Sequence, residues 1–125
     1  MKLKISILIL MALCLGAAAA PKGPKTVVVN TTKSGKAVMG FAGTTPVEIT
    51  VTDGKVEKVV ALPNSETPAY FQKVLDSPIF TKLLGKTVQE ASAVQLDAVS
   101  GATFSSKAVI ENIKIGLKEA EKKLK

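Results

Sequence analysis

The chain of 125 residues has no histidine and no arginine, and its one cysteine, Cys14, lies in the first apolar run. Each absence closes a class of chemistry. Without histidine there is no imidazole base, and without cysteine after residue 14 there is no disulfide or thiolate nucleophile in the rest of the chain. The usual zinc and haem ligand sets go with them. All 17 basic residues are lysine, so the planar forks that grip phosphates and base edges bidentately are missing. Five aromatics (Phe41, Tyr70, Phe71, Phe80 and Phe104) are too few for a stacking track on single-stranded nucleic acid. No nucleic acid partner is expected.

What is present begins with a leader. Lys2 and Lys4 make a basic start, Ile5 to Leu15 an apolar run, and Gly16 to Ala20 a small-residue region, the three parts of a secretory signal. Pro21 would obstruct cleavage just before it, so the bond after Ala19 is favoured, with Ala17 and Ala19 as the recognised pair. Residues 1–19 then form the signal, 20–25 a short tether and 26–125 one domain. An uncleaved anchor is the alternative. As a helix, Ile5 to Ala20 would span roughly 24 Å against a hydrocarbon core of about 30 Å, which is short. Lipidation at Cys14 is disfavoured because Leu13 before it is not small. The product is expected outside the cytoplasm, periplasmic or at the cell surface, and on a membrane only through a partner or an uncleaved signal. The formal charge of +7 stays positive after Lys2 and Lys4 are lost. It serves solubility, or steers an acidic partner.

Along the domain, Thr26 to Thr32 is β-branched and reads as a strand, followed by a turn at 33–36. Ala37 to Phe41 reads as extended, with Gly40 and Gly43 marking a bulge or a close backbone contact. Val47, Ile49 and Val51 alternate with polar residues up to Asp53-Gly54, a type I′ pair, and Lys55 to Leu62 returns. That spacing pairs Val51 with Val56 and Val47 with Val60, and sets Lys58 awkwardly opposite Ile49. Ser65 or Thr67 would cap a helix from Pro68 to Asp76, with Tyr70, Phe71 and Val74 or Leu75 inward. A second short helix is expected over 79–84, ending at Gly85, and a further turn over 87–93. From Thr103 to Leu124, Ile110, Ile113, Leu117, Ala120 and Leu124 form one helical stripe, with Gly116 either weakening the helix or allowing a close crossing. The class is α+β: a small antiparallel sheet from the N-terminal half, packed by short helices and one long C-terminal helix.

The stretch richest in chemistry runs from Asp97 to Ser106. It has hydroxyls at Ser100, Thr103, Ser105 and Ser106, small residues at Gly101 and Ala102, and Phe104 beside the helix mouth. Read from residues alone, it is a loop with a helix cap, or a seat for an anion on unpaired helix N–H groups.

Asp97-Ala98-Val99-Ser100-Gly101-Ala102-Thr103 resembles the flavinylation motif of the FMN-binding domain family, which includes the FMN-carrying subunits of the sodium-pumping quinone reductase and the Rnf complex. Phe41-Ala42-Gly43, the Asp53-Gly54-Lys55-Val56 hairpin and Ser65-Glu66-Thr67-Pro68 are similar to further family segments, although Ala69 replaces the usual glycine. The resemblance covers roughly residues 37–117. It implies FMN joined by a phosphoester to Thr103, within a string formed by Asp97, Ser100, Gly101 and Ala102 and a hydroxyl tail at Ser105-Ser106. It implies an exported flavin transferase that uses FAD and a divalent metal, and redox donor and acceptor proteins. Glu66 and Thr67 become candidates for contact with the flavin ring, with a helix cap as Thr67's other reading. Phe104 and Tyr70 become candidates for stacking, with core packing as the alternative. The implied role is electron carriage, since no acid–base set for positioning a substrate is visible. A non-redox exported binding module and a domain holding FMN non-covalently are the competing expectations.

Overall fold

Asp53 and Gly54 fix the first corner of the fold. Both take positive φ, at 52° and 79°, as a two-residue hairpin turn requires. The computed structural model describes residues 25–125. The expected signal 1–19 and the tether as far as Pro24 lie outside the described residues. The turn joins β2 (Val47–Thr52) to β3 (Lys55–Ala61), and β1 (Thr26–Asn30) pairs antiparallel with the other side of β2. Lys25 clips the open end of the turn, its N–H donating to Asp53 Oδ1 at 3.0 Å.

The register differs from the simple two-residue count. Val51 faces Val56 as expected, but Val47 faces Ala61 rather than Val60, because a bulge shifts the ladder between Thr50 and Val51. One extra residue in β3 puts Val59 opposite Ile49 and moves Lys58 opposite Thr50. The bulge therefore removes the conflict at Lys58. Val56 and Val59 both reach the core while Glu57 and Lys58 stay exposed.

Val27, Val29, Val47, Ile49 and Val51 give the sheet one apolar face, and α3 (Thr103–Leu124) lies across it. Gly116 marks the crossing. A Cβ there would lie 2.7 Å from Ile49 Cδ1 and 3.2 Å from Thr31 Cγ2. Asn112, fully buried on the same helix, accepts from the Thr31 hydroxyl at 2.8 Å and donates to the Ala108 carbonyl at 3.0 Å. Of the expected stripe, Ile110, Ile113, Leu117 and Ala120 are buried and Leu124 is half-buried.

The other helices are short. Thr67 holds the N-cap position of α1 (Pro68–Leu75) with Pro68 in its first turn. Phe71 and Val74 point inward, so of the two alternatives Val74 and Leu75 the structure selects Val74, whereas Tyr70 is exposed, contrary to the inner face expected for it. The helix expected over 79–84 is a single 3₁₀ turn, Pro78–Phe80, followed by turns to Gly85. Ser77 caps that turn. α2 (Val88–Ser92) opens with a full capping box between Thr87 and Glu90. The segment 85–88 also bonds along the start of β3, through Val56 N–H to the Lys86 carbonyl at 2.8 Å, and so covers part of an edge. The class is α+β, as the sequence indicates.

Candidate functional site

The Asp97–Thr103 stretch folds as a loop that closes on its own helix. Ala102 N–H donates to the Val99 carbonyl at 3.0 Å, with Gly101 at the third position of the turn and a φ of 82°. Glycine is the residue that takes this conformation without strain. Ser106 locks the loop from inside, accepting from Val99 N–H at 2.8 Å and donating to the Thr103 carbonyl at 3.1 Å. α3 then starts at Thr103. Its N-cap is Ala102 and no side chain caps it, so the first-turn N–H groups have no capping partner. An uncapped N-terminus attracts an anion, with about 0.3–1 kcal/mol from the helix dipole.

Around this helix start lies an open cleft of about 320 Å³, lined by Phe41, Tyr70 and the run from Gly101 to Ser105. Three aromatics stand at its rim, and none is buried: Phe41 is 68% exposed, Phe104 67% and Tyr70 50%. Large apolar side chains are seldom left this open in one place unless they meet a ligand or partner. Phe41 comes from the glycine loop, Tyr70 from α1 and Phe104 from α3. The cleft is thus built where three separate elements meet.

The loop bearing Phe41 is a tight turn whose base is the Met39–Thr44 bridge, with Gly40 N–H donating to the Gly43 carbonyl at 2.7 Å. The extended segment expected over 37–41 reduces to this bridge, while the close backbone contact expected at the glycines is present. Its partner is Glu66. The Glu66 carboxylate, 5% exposed, accepts from Phe41 N–H at 2.8 Å, from Ala42 N–H at 2.6 Å, and from the Ser105 hydroxyl. Burial alone would push this carboxyl up, but the bonds from Ser105, Ala42, Phe41 and Gly43 outweigh it and hold it below its ordinary value. Glu66 is therefore an ionised, fully engaged group behind the cleft wall.

Thr103, Gly101, Ala102, Phe104 and Ser105 line the cleft together. Glu66 stands behind it, with its carboxylate turned to protein donors. Thr67 is exposed at the start of α1, and its hydroxyl makes no capping bond. Ser100 is exposed in the turn before Gly101. Asp97 lines a separate groove of about 230 Å³ with Ser77, Ile79 and Lys82. Tyr70 and Phe104, for which core packing was the alternative, both stand at the rim. Phe41 was legible only as part of the glycine segment and not as a wall of the cleft, and Lys73 carries no sequence signal of its own. The Lys73 ammonium folds over Gly101, where it would lie 2.7 Å from an added Cβ, and it sits 6.0 Å from the Tyr70 ring centroid.

These residues suit a flat aromatic ligand with an anionic tail: exposed rings for the plane, and an uncapped helix start with a lysine for the anion. Among the described residues no group of three or more histidine, cysteine, aspartate or glutamate side chains gathers to hold a metal. Among them too, no helix is long and apolar enough to cross a membrane. Residues 40–118, well over half of the chain, match the family model described as FMN-binding domain. Neither the curated proteins nor the solved structures gave a match.

Proposed function

Because this chain belongs to the FMN-binding domain family, we propose that it is an exported electron-transfer flavoprotein with one FMN esterified through its phosphate to Thr103. The observation that carries this reading is the position of the Thr103 hydroxyl, exposed at the first residue of an uncapped helix inside a cleft rimmed by three open aromatics. The phosphate would sit against the N–H groups of α3 with Lys73 beside it, and the ring would lie among Phe41, Tyr70 and Phe104. When bound, the flavin supplies reversible electron transfer, and the protein orients it and sets its surroundings.

Magnitudes favour a covalent link over simple binding. A helix terminus gives about 0.3–1 kcal/mol and each aromatic contact about 0.5–1.5 kcal/mol beyond burial. Those two contributions sum to a few kcal/mol, before ring burial is added and the entropy cost of association is subtracted, whereas micromolar retention needs about 8 kcal/mol net. Outside the cytoplasm, where the signal expected over residues 1–19 would send it, a cofactor held so weakly would be lost by dilution. A flavin transferase using FAD and a divalent metal is the maturation partner in this reading, and separate proteins give and take the electrons.

The test is coexpression with a flavin transferase followed by intact mass measurement and in-gel flavin fluorescence after denaturation. Wild type should carry one FMN that survives denaturation, and Thr103→Ala should carry none while keeping its fold. An unmodified wild type, or an unchanged adduct in Thr103→Ala, would sink the proposal. Colour released on denaturation would indicate non-covalent binding instead.

A further inference from the structure

The rim aromatic with the least visible support is Phe41. Its ring is 68% exposed, so core packing does not set its position. What fixes it is its own backbone: consecutive N–H groups of Phe41 and Ala42 point at the two oxygens of Glu66, at 2.8 and 2.6 Å. Such paired amides form a small anion-binding concavity. Gly40 lets the loop curl this closely, since a Cβ there would lie 2.6 Å from Glu66 Oε1 and 3.2 Å from the Gly43 carbonyl. The same oxygen accepts from Ser105, two residues beyond Thr103. Glu66 itself follows an Asn64 turn, its N–H donating to Asn64 Oδ1 at 2.9 Å, which aims the side chain inward. Glu66 is not among the residues that line the cleft.

We propose that Glu66 is a positioning residue that ties the Phe41 wall of the cleft to the helix carrying Thr103, so that ring support and attachment point keep one fixed geometry. The proposal rests on the flavin reading for what the cleft holds, but the clamp itself is a property of the flavin-free chain. A buried carboxylate is stable only when donors satisfy it, and here the donors come from the two pieces that must be held together. Glutamine in its place keeps the size but presents an NH₂ group to N–H and O–H donors, and it cannot accept at both oxygens. The loop should then detach while the helix keeps its own bonds.

Two measurements test the clamp. In flavin-free protein, the amides of Phe41 and Ala42 should exchange with deuterium about tenfold or more faster in Glu66→Gln than in wild type. Unchanged exchange overturns the proposal whatever the cofactor. In flavinylated protein, fluorescence anisotropy of the flavin should fall in Glu66→Gln and in Phe41→Ala, and the double variant should fall no further than Phe41→Ala alone. Additive losses would mean that Glu66 acts on the fold at large and would overturn the assignment. If Glu66→Gln does not fold, Ser105→Ala removes only the helix end of the clamp and should still lower the anisotropy; no change there overturns it. A wild type without an adduct at Thr103 defeats the flavin reading alone, and amide exchange still decides the clamp.

Discussion

At Gly101 a single missing Cβ matters for a backbone reason rather than a steric one. The φ of 82° costs an L-residue about 1–2 kcal/mol. The atom nearest an added Cβ is the Lys73 ammonium, the movable end of a long side chain. Gly101→Ala should therefore lower stability by about 1–2 kcal/mol through φ alone. Adding Lys73→Ala should restore none of it, which paired denaturant titrations of the single and double variants can check. If removing Lys73 rescues Gly101→Ala, the collision is the cause and the backbone argument fails. Lys73 then has a separate role. A cation beside an uncapped helix N-terminus opposes the positive end of the helix dipole, an arrangement that a bound phosphate would reverse.

Among the elements, α3 and the hairpin were the most legible from sequence. Asp53-Gly54 names its own turn, and Ile110, Ile113, Leu117 and Ala120 keep helical spacing over three turns. The bulge was not legible, because a two-residue turn predicts pairing by counting, and an extra residue in β3 leaves no mark in composition. Only packing shows it: without the bulge, Lys58 would face Ile49 on the buried side. Gly116 was readable as a choice between two causes, and the structure selects the close crossing. Alanine at 116 would gain about 1 kcal/mol of helix propensity but would overpack the crossing, at about 1–3 kcal/mol. Its Cβ would meet Ile49 Cδ1 at 2.7 Å within a fully buried face. Gly116→Ala should therefore destabilise the protein in wild type. Combined with Ile49→Val, which removes that Cδ1, its cost should shrink. Strict additivity of the two changes would refute the crossing argument.

Across the whole molecule, the candidate site was half legible. The run from Gly101 to Ser105 is contiguous and announces itself by small residues and hydroxyls. The rest is assembled over distance, since Glu66 meets Phe41, Ala42 and Ser105 from 25, 24 and 39 residues away. No local pattern encodes those bonds, so Glu66 read as a ring contact, and at Phe41 only a bulge or close backbone contact was legible, without its partner. This non-local clamp gives the protein an acid limb. Glu66 has a folded-state value below its ordinary 4.5, and so does Glu90, whose carboxylate accepts from Thr87 in the α2 capping box. A carboxyl depressed by folding contributes stability that is fully present above its unfolded value and is lost as pH falls through the folded one. Thermal stability should therefore be flat with respect to these two groups above pH 5, roughly, and decline as pH drops below about 4.5. Glu66→Gln should be less stable than wild type at neutral pH, because two N–H donors and a hydroxyl lose their charged acceptor. It should also show a shallower decline in acid, since one linked proton is gone. Melting curves between pH 3 and 7, about the span over which an ordinary carboxyl titrates, separate the cases. Parallel acid limbs in the two proteins would mean that Glu66 is not held ionised by the clamp.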